Sequence, residues 1–301
     1  MWRKLEKLGS GGYGTVYYAE KDDNAASSWW KPSIKAAVKA APDYESDSLR
    51  REAVFLKKLK GNPYFIQGYG EDLSLGEEEG EYTYNLFLEY ASGGTLKDLI
   101  RSYAVDQGSV PESHAAYYAY LLLRALSYLH RNGIIHCDVK PDNVLVFPTN
   151  NGPFMNHIKL ADFGMSKLGM DDDMEDAIPG TSYYASPEGV QGTSADIWSF
   201  GCTVLEMLNG GEDIWDDDDD DDQFLPVPQI PGSVSETAKD FLEKCFRRVD
   251  GRWSAERLLK HPFIQSIITM IPPPGFELKN LESSNVDPFG SSWSVTQGLL
   301  S

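Results

Sequence analysis

The sequence is poor in basic residues and in long apolar runs, and each shortage excludes a class of function. Lys and Arg number 27 against 46 Asp and Glu, which gives a formal net charge of −19 at pH 7. A chain this acidic is not expected to bind nucleic acid or an anionic membrane surface. An apolar run of about 18 residues is missing, so no membrane span is expected, and residues 1–7 lack the apolar centre of a secretion signal.

Cysteine is also scarce, with only Cys137, Cys202 and Cys245. Because they are odd in number, widely spaced and set among apolar residues, we expect reduced thiols and a cytoplasmic and/or nuclear location. What is present is ordinary for a globular protein: 301 residues, 41% of them hydrophobic and 12% aromatic. This is enough chain for one large core or for two lobes.

Residues 134–146, IIHCDVKPDNVLV, place polar side chains between two apolar runs. The apolar runs are typical of short buried strands, so the polar residues are predicted to lie on a tight, anchored turn. There Asp138 could accept a proton from a hydroxyl, and Lys140 could neutralise a transferring phosphoryl group. Asn143 could offer its side-chain oxygen to Mg2+. Taken alone, the segment also fits a capped turn with chance polar residues.

The same segment resembles the protein-kinase catalytic loop, H-R-D-x-K-x-x-N, with Cys137 at the arginine position. Earlier in the chain, residues 8–16 carry Gly9, Gly11 and Gly14 in the order G-x-G-x-x-G. The β-branched and aromatic residues that follow predict a strand rather than a helix, so the glycines are expected to bend a hairpin. Glycine lets backbone N–H groups lie close over phosphates, although a hairpin without a ligand fits this motif alone.

Residues 34–40, IKAAVKA, predict a strand that carries Lys35 and Lys39. The tripeptide that ends at Lys39 fits the lysine strand of kinases, and Lys35 does not. Residues 46–60 predict a helix with Glu52 on its apolar stripe. A buried carboxylate needs a cation, so Glu52 is predicted to pair with Lys39, which the resemblance assigns to the α- and β-phosphates of ATP.

Residues 84–96, YNLFLEYASGGTL, predict a buried strand that ends in two glycines and resembles the kinase hinge. The resemblance implies that Leu88 is the gatekeeper and that Glu89 and Ala91 present backbone groups to adenine. The pair Thr95 and Asp98 predicts a helix capping box, which places the start of a second lobe near Ala91. By position, the other residues assigned to the nucleotide are Leu8, Gly9, Ser10, Gly11, Gly12, Gly14, Val16, Ala37 and Leu145.

Residues 162–164 read Asp-Phe-Gly, and the resemblance implies that Asp162, with Asn143, holds Mg2+ against the phosphates. Phe163 is expected to pack beneath the helix that carries Glu52. Farther along, residues 195–208 are apolar almost all round, as a central buried helix must be. Its Asp196 is expected to anchor the backbone of the catalytic loop.

Residues 180–188, GTSYYASPE, resemble the end of a kinase activation segment, with Ser186 in place of alanine. Glu188 is expected to pair with Arg252. Thr181 matches the threonine that contacts the catalytic aspartate and lysine, and with Lys140 it favours a Ser or Thr acceptor.

Together these motifs cover residues 8–264 and resemble plant mitogen-activated protein kinase kinase kinases of the MEKK-like group. The resemblance implies an α+β bilobal fold: a β-rich N-lobe with one helix over 1–90, a mainly helical C-lobe over 91–264, and an irregular tail over 265–301. It implies a monomeric serine/threonine kinase that uses ATP and Mg2+ and acts on a protein, with a MAP kinase kinase as the expected class. The catalytic set is Asp138, Lys140, Lys39, Glu52 and Thr181.

Two other functions fit parts of the pattern. A pseudokinase scaffold should lack a member of the catalytic set, and a small-molecule phosphotransferase should lack a peptide-binding segment such as 180–188. The seven aspartates over 216–222 predict a solvated loop, with a basic docking peptide or a cation site as the alternative.

Regulation is predicted to be unconventional because Cys137 replaces an arginine that binds a phosphate on the activation loop in related kinases. Between Phe163 and Gly180 the only hydroxyl is on Ser166, and acidic residues crowd 171–176. Activity is therefore expected not to depend on loop phosphorylation. The alternative is a phosphate on Thr181 or Ser182, bound by other basic residues such as Arg50 or Arg51.

Overall fold

The computed structural model describes residues 2–12, 14–21, 35–76, 80–149, 156–169, 183–189, 191–211 and 228–268. These residues form two compact units. The first runs to Ala91 and also takes in Asp162–Met165, and the second contains Ser92–Ala161 and the described residues that follow Met165. Within the described ranges, no helix has the length and apolar character needed to cross a membrane.

The first unit is built on one antiparallel sheet with the strand order β1-β2-β3-β5-β4. Its strands are β1 (Trp2–Gly11), β2 (Gly14–Lys21), β3 (Ala36–Pro42), β4 (Gly68–Leu75) and β5 (Tyr82–Glu89). Strand β3 lies in the middle of the sheet, and six of its seven residues are buried. Small and β-branched residues suit such a position, and Lys39 is the charged exception.

Helix α1 (Asp47–Lys58) belongs to the first unit and presents an apolar face that includes Leu49 and Leu56. It begins one residue later and ends two residues earlier than predicted. A short 3-10 turn, Asp43–Glu45, precedes it and was not predicted. Pro42 has no N–H to extend strand β3, and the Ser46 hydroxyl donates to the Asp43 carbonyl at 2.7 Å, which closes this turn.

The second unit is mainly helical. Its helices are α2 (Leu96–Gln107), α3 (Glu112–Arg131), α4 (Thr193–Asn209), α5 (Glu236–Cys245), α6 (Ala255–Leu258) and α7 (Pro262–Ile268). Two small antiparallel ladders complete it: β6 (Ile134–Ile135) with β9 (Lys167–Leu168), and β7 (Val144–Pro148) with β8 (Asn156–Leu160). Helix α4 begins two residues earlier and ends one residue later than the predicted 195–208.

Two buried helices form the core of this second unit. Helix α3 buries 12 of its 20 residues, and helix α4 buries 12 of its 17. Helix α4 is thus covered nearly all round, as its sequence predicted. The predicted capping box is also present: the Thr95 hydroxyl accepts from the Asp98 N–H at 3.1 Å, and Asp98 Oδ2 accepts from the Thr95 N–H at 3.0 Å.

Candidate active site

Lys39 lies at the centre of a buried charge cluster in the first unit. Its Nζ is 2.9 Å from Glu52 Oε2 of helix α1 and 2.9 Å from Asp162 Oδ1. The Lys39 side chain is 9% exposed and the Glu52 side chain 1%. Lys35, the competing lysine, is exposed and lies outside strand β3. The structure therefore places Lys39, and not Lys35, against the predicted carboxylate.

The two carboxylates keep Lys39 charged. Burial lowers the pKa of Lys39, but the Coulomb attraction of Glu52 and Asp162 outweighs it and raises that pKa above its usual range. Burial raises the pKa of Glu52, while Lys39 and the backbone N–H of Phe163 act to lower it. One ammonium thus balances two acids before any ligand is considered, and the second acid, Asp162, is the more exposed at 25%.

Helix α1 contacts the Asp-Phe-Gly segment directly at Phe163 and Gly164, and it is linked to Asp162 through Lys39. Beyond the cluster at Asp162, the Phe163 ring lies 6.4 Å from the Phe55 ring and 5.8 Å from the Phe65 ring, as centroid distances. Phe163 thus packs against the helix that carries Glu52, as expected. The next residue, Gly164, accepts a hydrogen bond at its carbonyl from Arg51 Nη1 at 3.2 Å.

The fit at Gly164 is tight, and a side chain there would force the Ser48 hydroxyl to move. A Cβ added there would lie 2.1 Å from the Ser48 hydroxyl oxygen, far inside van der Waals contact. Ser48 and Arg51 lie three residues apart in α1, so they face the same side of the helix. Neither contact was predicted, because no sequence pattern pairs two residues this far apart.

The glycine-rich residues form a hairpin, as predicted, with Gly11 opposite Gly14 between β1 and β2. Gly14 has φ +125°, and a Cβ added to it would lie 2.6 Å from the Ala40 carbonyl oxygen. Only glycine suits that backbone and that close approach. Gly9, Gly11 and Gly12 have open space within 4 Å of an added Cβ, so the neighbouring chain does not require glycine there. Ser10 is exposed beside them.

Four predicted nucleotide contacts share one face of the sheet. Val16 on β2 is paired with Lys39 on β3, and Ala37 on β3 is paired with Leu88 on β5. Ala37 and Lys39 are two residues apart on one strand, so all four side chains point to the same face. Leu8 is 43% exposed on the neighbouring strand. A flat apolar surface beside an ammonium group is suited to a heterocycle that carries phosphates.

The hinge residues continue from the same strand. The Glu89 N–H donates to the Gln67 carbonyl at 2.8 Å, so that N–H is already engaged within the first unit. Ala91 is partly exposed at the end of the first unit. Leu145 belongs to the second unit, where it pairs with Lys159 in the β7–β8 ladder.

In the second unit, the catalytic loop brings Asp138, Lys140 and Asn143 together. Lys140 Nζ lies 2.9 and 2.8 Å from the two Asp138 carboxylate oxygens. Asn143 Nδ2 donates to Asp138 Oδ2 at 2.7 Å and to the Asp138 carbonyl at 2.8 Å. With its amide nitrogen committed to Asp138, Asn143 has its amide oxygen as the atom that suits a cation.

Asp196 anchors the loop as predicted. Its two carboxylate oxygens accept the backbone N–H groups of His136, at 2.9 Å, and Cys137, at 3.0 Å. His130 Nε2 lies 2.9 Å from the same carboxylate. His136 is fully buried and holds the Asp138 N–H at its Nδ1 at 3.3 Å. The Asp196 carboxylate thus accepts the hydrogen bonds of two backbone N–H groups that a tight turn leaves without regular strand or helix partners.

Cys137 adopts φ +67°, an unusual conformation for a residue with a side chain. Its N–H bond to Asp196 holds it there. Burial raises the pKa of the Cys137 thiol to about 12, with Asp196 adding to the effect. The thiol is therefore neutral at physiological pH and offers no positive charge to a phosphate.

Comparison with known proteins shows to which family this chain belongs. Residues 2–264 match the family described as "Protein kinase domain". The chain belongs to the protein kinase family. Mitogen-activated protein kinase kinase kinase 17 of Arabidopsis thaliana is 37% identical over 87% of this chain and 69% of its own length.

Other relatives carry the same kind of name. Mitogen-activated protein kinase kinase kinase 20 of Arabidopsis thaliana is 35% identical over 87% of this chain and 78% of its own length. Mitogen-activated protein kinase kinase kinase 3 of Homo sapiens is 33% identical over 88% of this chain and 42% of its own length. The bilobal α+β class expected from the motifs is confirmed for this kinase.

The residues of the kinase fit the nucleotide and divalent metal that its family uses. Asp162 and Asn143 offer oxygen donors, which hard divalent cations prefer. In the described ranges, no cluster of three His, Cys, Asp or Glu side chains is built to hold a metal.

Segment 183–189 of the kinase is held within the second unit by one ion pair and one side-chain hydrogen bond. Arg252 binds both Glu188 oxygens, at 2.5 and 3.1 Å, as predicted. The Tyr184 hydroxyl donates to Glu206 Oε2 at 2.5 Å, and Lys97 binds the other Glu206 oxygen. Sequence reasoning missed this second cluster, since only the fold brings α2 and α4 together.

Several predictions fall on residues that the structure does not describe. Thr181, Ser182, the acidic residues 171–176, the aspartates 216–222 and the tail from 269 lie outside the described ranges.

Proposed function

We propose that this serine/threonine kinase transfers the γ-phosphoryl group of Mg-ATP to a MAP kinase kinase. Its membership of the kinase family and its similarity over 87% of the chain to three plant kinase kinase kinases support that level in a cascade. The observation that carries the proposal is the Asp138 carboxylate, which binds both Lys140 and Asn143.

The catalytic loop supplies the proton chemistry. Asp138 is held by two neighbours, so it can accept a proton from an acceptor hydroxyl without reorganising. Lys140 balances the charge that grows on the transferring group. Bound Mg-ATP would supply the phosphoryl group and neutralise its oxygens.

The first unit supplies a charged lysine that can bind the phosphates of the nucleotide. Lys39 is already oriented and charged through Glu52 and Asp162, and Asp162 offers the more exposed carboxylate to the cation. Mg2+ offsets part of the negative charge that ATP brings to this cluster, which favours Mg-ATP over ATP alone.

The two alternatives lack support. A pseudokinase should have lost a member of the catalytic set. Four of its five members, Lys39, Glu52, Asp138 and Lys140, lie among the described residues with the contacts given above, as do the predicted metal ligands Asn143 and Asp162. A small-molecule phosphotransferase has no need of the Glu188–Arg252 anchor, which holds the segment that the resemblance assigns to peptide binding.

The test is to incubate the purified kinase and Mg-ATP with a catalytically inactive MAP kinase kinase. We expect phosphate on Ser or Thr of its activation segment and a loss of at least 100-fold for Asp138→Asn. Asp106→Asn, which changes an exposed acid of α2, is the matched control and should leave the rate unchanged. Equal rates for wild type and Asp138→Asn would support a scaffold, and labelling of metabolites alone would support a small-molecule enzyme.

We further propose that the kinase is a monomer in the cytoplasm and/or nucleus. Cys202 and Cys245 are buried free thiols, and Cys137 is a partly buried one, which suits a reducing compartment. Light scattering after size exclusion and imaging of a fluorescent fusion test the two parts. A dimer mass, or a secreted fusion, would contradict them.

A further inference from the structure

Gln67 forms a hydrogen-bonding centre in the first unit that the phosphoryl-transfer chemistry does not use. It ends the loop of residues 59–67 that joins helix α1 to strand β4. Its side-chain Nε2 donates to the carbonyls of Asn62, at 3.0 Å, and Phe65, at 2.8 Å. Its Oε1 accepts from the Gly61 N–H at 2.8 Å. All three partners are backbone groups of the loop, so this one side chain fixes the path of the loop relative to Gln67.

The backbone of Gln67 in turn binds Glu89, the last residue of strand β5. The Glu89 N–H donates to the Gln67 carbonyl at 2.8 Å, and the Gln67 N–H donates to Glu89 Oε2 at 3.3 Å. Glu89 is only 7% exposed. Gln67 therefore holds Glu89 by its main chain and by its side chain together.

These two bonds lie where the regular pairing of β4 with β5 stops. Gly68 is paired with Leu88, and the register shifts between Gly68 and Gly70. On its other side Glu89 is paired with Ala36 of β3. Gln67 thus takes the place of a strand neighbour for Glu89, at the point where the chain leaves the sheet.

We propose that Gln67 is a positioning residue for recognition of the adenine base and that it acts through Glu89. Glu89 is one of the two residues predicted to present backbone groups to adenine. The inference rests on the proposed function, because the Glu89 backbone meets adenine only if the nucleotide is ATP. A site discriminates between bases by hydrogen-bonding groups that are held in place before the ligand arrives.

Two substitutions change the Gln67 side chain and keep the backbone groups that bind Glu89. Gln67→Met retains the length of the side chain but removes its three hydrogen bonds to the loop. Gln67→Glu retains an acceptor for the Gly61 N–H but places a carboxylate against two carbonyl oxygens. Gln265→Met is the matched control, because Gln265 Nε2 donates to the Leu259 carbonyl at 2.8 Å in the second unit.

The experiment measures the Kd of adenosine and of guanosine by calorimetry. Neither nucleoside carries a phosphate, so neither depends on Lys39. We expect the wild type and Gln265→Met to bind adenosine at least tenfold more tightly than guanosine. Both Gln67 variants should lose this preference by about tenfold, through weaker binding of adenosine. A variant that is less stable but still folded at the assay temperature would keep the ratio, so the ratio separates positioning from stability.

The outcomes divide as follows. An unchanged ratio in Gln67→Met overturns the inference, even if Gln67→Glu alone loses the preference, because the added charge would then be the cause. A wild type that does not prefer adenosine also overturns it. If Gln67→Met does not fold, as thermal unfolding would show, the ratio in Gln67→Glu decides.

If neither variant folds, hydrogen exchange of the wild type decides. Coupling between two sites is reciprocal, so saturating adenosine should slow the exchange of residues 61–67, and unchanged exchange overturns the inference. None of these measurements requires phosphoryl transfer. A failure of the proposed function would instead appear as absent phosphorylation of the MAP kinase kinase by a wild type that still binds adenosine.

Discussion

Arg51 donates a hydrogen bond to the carbonyl oxygen of Gly164, with 3.2 Å between Nη1 and that oxygen. Arg51 immediately precedes Glu52 in helix α1. One turn of this helix therefore carries both the carboxylate that binds Lys39 and the guanidinium that binds the backbone after Asp162. Arg51 thereby helps to fix the backbone next to Asp162, the aspartate that we predict to bind the metal.

Arg51→Gln is expected to lower kcat about tenfold, because a hydrogen bond from a charged donor contributes roughly 1.5–3 kcal/mol. Hydrogen exchange of the peptide that covers Asp162–Met165 should become faster in this variant. Arg50→Gln is the control: Arg50 lies next in the helix but pairs with Asp43 and stacks on Tyr84. Equal effects of the two substitutions would show that Arg51 has no special role.

Two glycines of the hairpin are expected to have different roles: Gly14 contributes to stability and Gly11 to ATP binding. Gly14→Ala should destabilise the fold by about 1–3 kcal/mol, since it combines a positive φ with a clash against the Ala40 carbonyl. The Cβ that Gly11→Ala adds would lie in open space, so the melting temperature of this variant should stay within about a degree of that of the wild type. Its KM for ATP should rise. Thermal unfolding and ATP titration separate the two, and an equal loss of stability would contradict this account.

The Thr95–Asp98 capping box predicts a pH-dependent contribution to stability. The bond from Thr95, and to a smaller extent the backbone N–H, lowers the pKa of Asp98 below its usual value. Stability linked to a lowered carboxyl pKa is present above the unfolded pKa and is lost as the pH falls through the folded one. Thr95→Val should therefore cost about 1 kcal/mol at pH 7 and less near pH 3.

Denaturant unfolding at both pH values measures this difference. Thr95→Ser, which keeps the hydroxyl, should behave like the wild type. A cost for Thr95→Val that is the same at pH 3 and pH 7 would show that Asp98 ionisation does not contribute.

Activity is expected not to depend on phosphorylation of the activation loop, since Cys137 supplies a neutral thiol where an arginine would bind phosphate. Phosphatase-treated kinase that carries Ser166→Ala and Ser182→Ala, to block relabelling, should retain its rate within about twofold. Arg50 and Arg51, the alternative phosphate ligands, are engaged by Asp43 and Gly164. A collapse of the rate that Cys137→Arg does not alter would refute the hypothesis.

Sequence patterns predicted the parts of this kinase in which neighbours along the chain decide the structure. Periodicity placed helix α4 within two residues of its bounds, and the capping signal at Thr95 was correct. The pairing of Lys39 with Glu52 followed from one rule, that a buried acid requires a cation.

Contacts between residues that are far apart in the chain could not be predicted from these local sequence patterns. Arg51 and Lys97 look like ordinary helix-surface residues, and their partners, Gly164 and Glu206, are more than one hundred residues away. The 3-10 turn before α1 was also missed, because it depends on a hydrogen bond from Ser46 to Asp43 rather than on composition.

The first unit is discontinuous in sequence, because Asp162–Met165 belongs to it while Ala161 and Ser166 belong to the second unit. A gene fragment that stops at Ala91 would encode the complete five-stranded sheet and Glu52 but only one of the two acids that bind Lys39. A split version of this kinase, cut at Ala91, would therefore separate Lys39 from Asp162, and recovery of nucleotide binding would report reassembly of the two pieces.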